Sequence, residues 1–146
     1  MIRLPPDFKE LLELLNSKKI EYLVIGGYAV AIYGYPRATG DIDIWIAISR
    51  DNAHKTVAAL KDFGFDIPEL KEDLFLEKER NIRLGVHPLR VELITSIDGV
   101  EFSACYKNKN TVAIDDTKIN FISLNDLKKN KKASGRYKDL DDLEHL

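Results

Sequence analysis

The chain has one cysteine, no long apolar run and no histidines at metal-ligand spacing, and each absence excludes a class of protein. Cys105 is the single cysteine among 146 residues, which excludes an internal disulfide and fits a reducing compartment. No apolar run approaches the roughly 20 residues of a membrane-spanning helix. Residues 1–7 hold two prolines and no apolar segment, unlike a signal peptide. We therefore expect a soluble, cytoplasmic protein with no membrane partner.

Several catalytic and nucleotide-binding motifs are also missing. His54, His87 and His145 show neither the spacing of zinc ligands nor a motif shared with Cys105, so neither a zinc site nor a hydrolase triad is predicted. The pair Gly26–Gly27 is followed by no Gly-Lys-Ser/Thr and is part of no Gly-x-Gly-x-x-Gly. This excludes a P-loop and a dinucleotide-binding fingerprint.

What the chain does contain is the composition of a globular protein, with 45% hydrophobic and 32% charged residues. Its length suffices for one domain with a sizeable core. We expect a single domain over residues 1–146, with its core at about 18–122 and a C-terminal helical segment at 123–146. Six cations and no acid lie in residues 128–138, although the net charge is only −2. By default such a run is a solvated helix face.

Periodicity predicts strands that alternate with helices early in the chain and pair as hairpins later. Asp7 and Glu10 form a capping-box pattern before a helix, and Asp51 is placed to cap another. The predicted strands lie at about 20–25, 41–48, 81–86, 89–95, 111–114 and 118–122. The predicted helices lie at 8–17, 28–33, 52–63, 68–74, from Ser123 or Asn125 to an interruption at Gly135, and at 139–146, with an element of undecided type at 102–106. This order predicts a mixed α/β fold whose helices pack mainly on one face of a mixed sheet.

The stretch 41–48 is the most informative part of the chain. The isoleucines at 42, 44, 46 and 48 share one face of a strand, which we expect to be core, and Asp41, Asp43 and Trp45 share the other. The two aspartates lie about 7 Å apart, and their charges repel. A hard cation such as Mg²⁺ would remove that repulsion. The alternative is an exposed pair of acids. Trp45 is expected in the core rather than as a platform for base stacking.

Three further features accompany these acids. Gly26–Gly27 follows a predicted strand and begins a helix, a position where backbone N–H groups bind phosphate, although such a pair is more often only a turn. Glu92 lies in another apolar strand, either as a third metal ligand or in an ion pair with Arg90 or Arg37. Arg37 and Thr39 either close the loop before the acids or help to neutralise a phosphate.

The ordered set of motifs resembles the DNA polymerase β-type nucleotidyltransferase superfamily. The shared pattern is strand, Gly-Gly, helix, Arg-x-Thr-x-Asp-x-Asp and a later acidic strand, present here as Gly26–Gly27, Arg37–Asp43 and Val91–Ile94. The chain is most similar to a branch of small prokaryotic proteins that includes AbiEii-type toxin–antitoxin nucleotidyltransferases and antibiotic nucleotidyltransferases. Short members of that branch share Asp98–Val100 and a Lys-x-x-x-Gly-Arg-x-Lys-Asp-Leu-x-Asp-Leu stretch, here Lys131–Leu143. The third acid is usually Asp in that superfamily, whereas this chain has Glu92.

The resemblance implies a nucleotidyltransferase fold and transfer of a nucleoside monophosphate from a nucleoside triphosphate, often ATP, to an acceptor hydroxyl. It implies Mg²⁺, with Mn²⁺ as a substitute, held by the catalytic acids Asp41, Asp43 and Glu92. The residues implied in nucleotide binding are Gly26, Gly27, Arg37, Thr39, Lys131 and Arg136. The acceptor is open between RNA, a protein and a small molecule.

Two other functions stay open at this point. The Asp-to-Glu change and the small size suit a weakly active or inactive protein that binds a cognate toxin or antitoxin. The cations of residues 128–138 suit a nucleic-acid-binding domain, although the acidic overall balance argues against that as the main role.

Overall fold

The computed structural model describes residues 3–35, 40–86 and 90–146. The described residues form six strands, six α-helices and a 3₁₀ helix at Glu72–Phe75. The helices are α1 (Pro6–Ser17), α2 (Gly26–Ile32), α3 (Arg50–Phe63), α4 (Phe102–Lys107), α5 (Leu124–Ser134) and α6 (Tyr137–Glu144). The strands are β1 (Tyr22–Ile25), β2 (Asp41–Ile46), β3 (Asn81–Leu84), β4 (Arg90–Ile94), β5 (Asn110–Ile114) and β6 (Thr117–Phe121).

The strands form one sheet in the order β3-β4-β2-β1-β6-β5. The pairs β2–β4 and β1–β6 are parallel, whereas β1–β2, β3–β4 and β5–β6 are antiparallel. The predicted mixed α/β fold is therefore confirmed. The strand that carries the two aspartates lies near the centre of the sheet, between β1 and β4.

The alternation in β2 places its isoleucines in the core. Ile42, Ile44 and Ile46 are fully buried. Trp45 is also buried, with its indole N–H donating to the Thr95 carbonyl at 3.2 Å, so it is a core residue as predicted. The strand was predicted two residues too long: it ends at Ile46, and Ile48 is 37% exposed instead of buried.

Two predicted helix caps are wrong. Helix α1 begins at Pro6 and has no side-chain cap, so Asp7 lies inside the first turn, where its charge favours the helix dipole. Proline fits this first position because its missing N–H would have no helical partner. Ser49 rather than Asp51 caps α3, with its hydroxyl accepting from the Asn52 N–H at 3.1 Å. Ser123 caps α5 in the same manner, as one of the two predicted candidates.

Other differences concern the weaker elements. The helix predicted at 68–74 is reduced to the 3₁₀ helix at Glu72–Phe75, and the undecided element is α4. The last helix begins at Tyr137, two residues before its predicted start. His87 and Pro88, between the strands predicted at 81–86 and 89–95, lie outside the described residues. Among the residues that are described, no helix has both the length and the apolar character needed to cross a bilayer.

Candidate functional site

A cleft of about 720 Å³ opens beside the face of β2 that carries Asp41 and Asp43. This volume lies within the range of small-molecule sites. Its walls come from the end of β1, from β2, β3 and β4, and from the α5–α6 region. Of the residues predicted to be functional, the cleft brings together Gly26, Gly27, Asp41, Asp43, Glu92, Lys131 and Arg136. Arg37 and Thr39 lie outside the described residues, and their role stays a prediction.

Gly26 and Asp43 are fitted closely to each other. In the β1–β2 pair, Ile25 lies opposite Asp43, so the residue that follows Ile25 passes directly beside the aspartate. Gly26 has a φ of +68°, and a Cβ at this position would collide with Asp43 Oδ2. Only glycine satisfies both the positive φ and the close approach. Gly26 is therefore part of the acid site and is more than a turn residue.

The three acids form a row with two arginines across neighbouring strands. In the parallel β2–β4 pair, Asp41 lies opposite Arg90 and Asp43 lies opposite Glu92. In the antiparallel β3–β4 pair, Glu92 lies opposite Arg83. Because side chains at paired positions share a face of the sheet, all five charged groups face the cleft side.

Arginine side chains bind two of the three carboxylates. Arg90 Nε and Nη2 donate to Asp41 Oδ2 at 3.1 and 2.8 Å, and Arg83 Nε donates to Glu92 Oε1 at 3.3 Å. Sequence had suggested Arg90 as a partner of Glu92, but register places it against Asp41 instead. Asp43 has no arginine partner among the described residues.

The pKa values of Asp43 and Glu92 are shifted in opposite directions. Burial is the largest influence on Asp43, and together with Glu92 and Asp41 it raises the pKa of the Asp43 carboxyl to about 7. Burial also acts to raise the pKa of Glu92, but hydrogen bonds to Asp43, Asn81 and Arg83 outweigh it and lower that pKa. These shifts favour a proton on Asp43 and a charge on Glu92 at pH values below about 7.

The donor set fits a hard divalent cation in part. Asp43 Oδ1 is buried and has no hydrogen-bond partner within residues 3–35, 40–86 and 90–146, as expected of an oxygen that could bind a cation. Carboxylate oxygens are also the ligands that Mg²⁺ prefers. However, no three His, Cys, Asp or Glu side chains in the described residues are grouped closely enough to hold a metal ion. Two of the candidate ligands are instead engaged with Arg90 and Arg83.

The C-terminal helices supply the cationic wall of the cleft. Lys131 is buried, and its Nζ binds Asp139 Oδ1 at 2.8 Å and Asp142 Oδ2 at 3.1 Å. Arg136 Nε binds Asp139 Oδ2 at 2.7 Å and is largely exposed. The basic run is thus not a uniform solvated face, because its central lysine forms a buried ion-pair network between α5 and α6.

Sequence reasoning missed three cleft residues: Asn81, Arg83 and Lys138. Arg90, which binds Asp41 and is not part of the cleft lining, had a readable signal, since it is two residues before Glu92 and therefore on the same face of the strand. Arg83 and Asn81 had none, because their position depends on the pairing of β3 with β4. Lys138 was visible only as one of six cations.

The cleft continues into a second depression of about 840 Å³. The two share Asn81, Ile94, Ser96, Ile97 and Asp98. Its wall includes the Trp45, Phe102 and Tyr106 rings, with Phe102 edge-on to Trp45 at 5.1 Å. The combined surface offers a charged end at the acids and a partly aromatic end beyond Ile94.

Two solved structures with this fold are a nucleotidyltransferase and a nucleotidyltransferase-like protein by their descriptions. A Thermotoga maritima protein assigned as a nucleotidyltransferase superposes with a TM-score of 0.64 at 22% identity, over 99% of this chain and 93% of that one. An antigenic nucleotidyltransferase-like protein from Paracoccidioides brasiliensis gives a TM-score of 0.56 at 18% identity, over 94% of this chain and 72% of that one. No curated protein sequence matches the chain significantly.

A family model described as aminoglycoside-2''-adenylyltransferase matches residues 7–146. The resemblance to nucleotidyltransferases is confirmed at the level of the fold, whereas the AbiEii-type branch stays a prediction. The match spans both the strand that carries the two aspartates and the helices that complete the cleft. The chain belongs to the aminoglycoside-2''-adenylyltransferase family and has a nucleotidyltransferase fold.

Proposed function

We propose that this chain is an active nucleotidyltransferase that moves a nucleoside monophosphate from a nucleoside triphosphate to an acceptor hydroxyl. The observation that carries the proposal is the arrangement around Asp43, with Gly26 against its carboxyl on one side and Glu92 in register on the other. The family name favours ATP as the donor nucleotide. The site is proposed to work in the cytoplasm, where ATP is abundant.

Each cleft residue has a chemical role in this proposal. Gly26 and Gly27 leave room for phosphate oxygens beside the acids, because neither has a side chain. Asp41 and Asp43 would hold Mg²⁺, which when bound offsets charge on the phosphates; Mn²⁺ is the expected substitute. Glu92 is the proposed general base because it is in register with Asp43 at the end of the cleft nearest the proposed acceptor, and its lowered pKa keeps it ionised near neutral pH.

The transfer step balances with these groups alone. The acceptor hydroxyl oxygen forms a bond to the α-phosphorus, and its proton passes to the Glu92 carboxylate. The bond from the α-phosphorus to the bridging oxygen breaks, and pyrophosphate leaves with the electron pair. Arg136 at the cleft wall offsets negative charge that builds up on the phosphates.

The acceptor is proposed to lie toward the second depression, because Asn81 and Ile94 connect it directly to the Glu92 end of the cleft. The aromatic rings there suit a ring-bearing small molecule, and the family name favours an aminoglycoside. RNA and protein acceptors are the alternatives, and they would present one hydroxyl at the same place.

Label transfer tests the proposal. The protein is incubated with Mg²⁺, each α-³²P-labelled nucleoside triphosphate in turn, and either aminoglycosides, RNA or a cell extract. We expect label on an acceptor with wild type and none with Asp43→Asn, which keeps the size of the side chain but loses its charge. Transfer that persists in Asp43→Asn would remove Asp43 from the mechanism, and no transfer with any nucleotide would count against an active enzyme.

One observation favours a second function. Arg90 and Arg83 already bind Asp41 and Glu92, so the acid row is largely neutralised without a metal. A nucleotidyltransferase-fold protein with such a site could act as a binding component of a toxin–antitoxin pair. Absence of any Mg²⁺–nucleotide binding, together with purification in complex with the product of a neighbouring gene, would support this alternative.

A further inference from the structure

The joint between α5 and α6 brings three cations to the cleft: Lys131, Arg136 and Lys138. They differ in what they already bind. Asp139 accepts from both Lys131 and Arg136, and Asp142 binds Lys131 as well. Lys138 forms no ion pair within 4.0 Å with any residue that the structure describes. Of the three, it is the cation that is available to a ligand.

A buried ion-pair network between α5 and α6 holds the turn from which the Lys138 side chain extends to the cleft. Lys131, Asp139 and Asp142 have exposed fractions of 5, 3 and 1%. The Ser134 hydroxyl also donates to Asp139, and Gly135 ends α5 with a left-handed φ of +66°. Arg136 and Tyr137 then lead into α6, whose first turn contains Lys138. The turn that carries Lys138 is therefore held by ion pairs that burial shields from water.

The electrostatics of the acids agree with this placement. Burial raises the pKa of Asp43, and the Lys138 charge acts in the opposite direction on the same carboxyl. The lysine is itself exposed, so its ammonium is hydrated and free to change rotamer. Because Arg90 and Arg83 already bind two of the three acids, the Lys138 ammonium at the cleft wall is available to a polyanion.

We propose that Lys138 binds the phosphate chain of the nucleotide in the cleft, and that Lys131, Asp139 and Asp142 position it. This inference rests on the proposed function. It adds Lys138 to the cations proposed to act on the phosphates, a role that the six cations of the basic run did not reveal in the sequence. Lys131, by contrast, is a positioning residue, because its ammonium is already shared between two carboxylates.

Equilibrium binding of nucleotides tests the assignment. Wild type, Lys138→Gln, Lys138→Arg and Lys132→Gln are titrated with Mg²⁺ and the nucleoside triphosphate that wild type binds best, and then with the matching diphosphate, monophosphate and nucleoside. Lys132 is exposed, belongs to the same basic run and is outside the cleft lining, so it is the matched control.

For the triphosphate we expect Lys138→Gln to bind about tenfold more weakly, Lys138→Arg to recover most of the affinity, and Lys132→Gln to match wild type. The loss of affinity in Lys138→Gln should become smaller from the triphosphate to the diphosphate and monophosphate. It should vanish for the nucleoside, which carries no phosphate. For the positioning network, Asp142→Asn should weaken triphosphate binding in wild type but not in a Lys138→Gln background. A purely structural role would weaken both equally.

The outcomes separate this inference from the proposed function. Equal triphosphate affinities in wild type and Lys138→Gln would overturn the role of Lys138 while leaving the nucleotidyltransferase proposal intact. A loss that is the same for nucleoside and triphosphate would also overturn it, because the lysine would then act on something other than phosphate. Failure of wild type to bind any nucleotide would overturn both.

Discussion

Gly26 and Asp43 cannot change independently, because a single added carbon on Gly26 would occupy the space of Asp43 Oδ2. The pair joins the end of β1 to the centre of the sheet at the point where the acids meet the cleft. It also explains why a glycine pair, which is a weak signal by itself, has a specific role in this fold.

Gly26→Ala should lower stability more than backbone strain alone explains. Gly135 is a matched control, since its φ of +66° is nearly the same as the +68° of Gly26 and it has open space around its Cα. We expect Gly135→Ala to cost about 1 kcal/mol of unfolding free energy and Gly26→Ala about 1–3 kcal/mol more, through overpacking against Asp43. Urea unfolding measures both, and equal losses would contradict the close fit.

Asp43 should make the unliganded protein less stable as pH rises from about 4 to about 7. The folded chain keeps a proton on Asp43 up to about pH 7, whereas an unfolded aspartate releases it near pH 4, so rising pH favours the unfolded chain in this window. The slope contributed is at most about 1.4 kcal/mol per pH unit.

Asp43→Asn should remove that slope, and Asp66→Asn, an exposed aspartate outside the cleft, should retain it. Unfolding free energies from urea titrations at several pH values make the comparison. A wild-type slope that survives in Asp43→Asn would assign the titration to another group.

Lys131→Met should be among the most destabilising single changes in the chain. It leaves two buried carboxylates, Asp139 and Asp142, without the cation they share. Removing one partner of a buried ion pair costs about 3–5 kcal/mol. Lys132→Met, on the exposed side of the same helix, should change the unfolding free energy by less than about 0.5 kcal/mol.

Double-mutant analysis checks the cause of that loss. If the buried carboxylates are responsible, adding Asp142→Asn to Lys131→Met should recover part of the stability, because one uncompensated charge disappears. Additive losses from the two changes would argue that they act separately.

Protonation of Asp139 sets the low pH at which the ion-pair network stops contributing to stability. Burial acts to raise the pKa of the Asp139 carboxyl, but hydrogen bonds from Lys131, Ser134 and Arg136 outweigh it and lower the pKa to about 2. A lowered pKa stabilises the fold above about pH 4, and this contribution is lost as pH falls toward 2. Asp139→Asn should therefore flatten the acid limb of the stability curve. An unchanged acid limb would exclude the network as its source.

Arg90→Gln should strengthen binding of a divalent cation at the acids. Arg90 places a positive charge 2.8 Å from Oδ2 of Asp41, one of the two acids proposed to hold the cation. Removing it should raise the affinity for Mn²⁺ about tenfold. Arg80→Gln is the control, because Arg80 pairs with Glu77 and is not part of the cleft lining. Electron paramagnetic resonance of bound Mn²⁺ measures both, and weaker binding in Arg90→Gln would mean that the arginine orients Asp41 for the metal.

The parts of the fold that sequence predicted are those that local pattern determines. The strand with Asp41 and Asp43 was recognisable because its alternation is complete within six residues, and Gly135 ended α5 where a left-handed residue is needed. Ser49 was missed as a cap because Asp51, two residues later, is an equally good capping residue type. Choosing between them requires the backbone path after β2.

The parts that sequence did not predict depend on distant pairing. Arg90 meets Asp41 across 49 positions of the chain because β4 lies beside β2 in parallel, which no local pattern specifies. Lys131 is buried because α6 folds back against α5, so a lysine that looks solvated in a basic run becomes the centre of an ion-pair network. The candidate ligands were found by residue type, whereas their arginine partners required the sheet order.

The ion pairs Asp41–Arg90 and Glu92–Arg83 have a consequence for how the protein folds. Because two of the three acids on this face already have arginine counterions, we expect the domain to fold without a divalent cation. A chelator such as EDTA should leave its melting temperature unchanged. Under the proposed function, a divalent cation would therefore be needed for activity and not for folding.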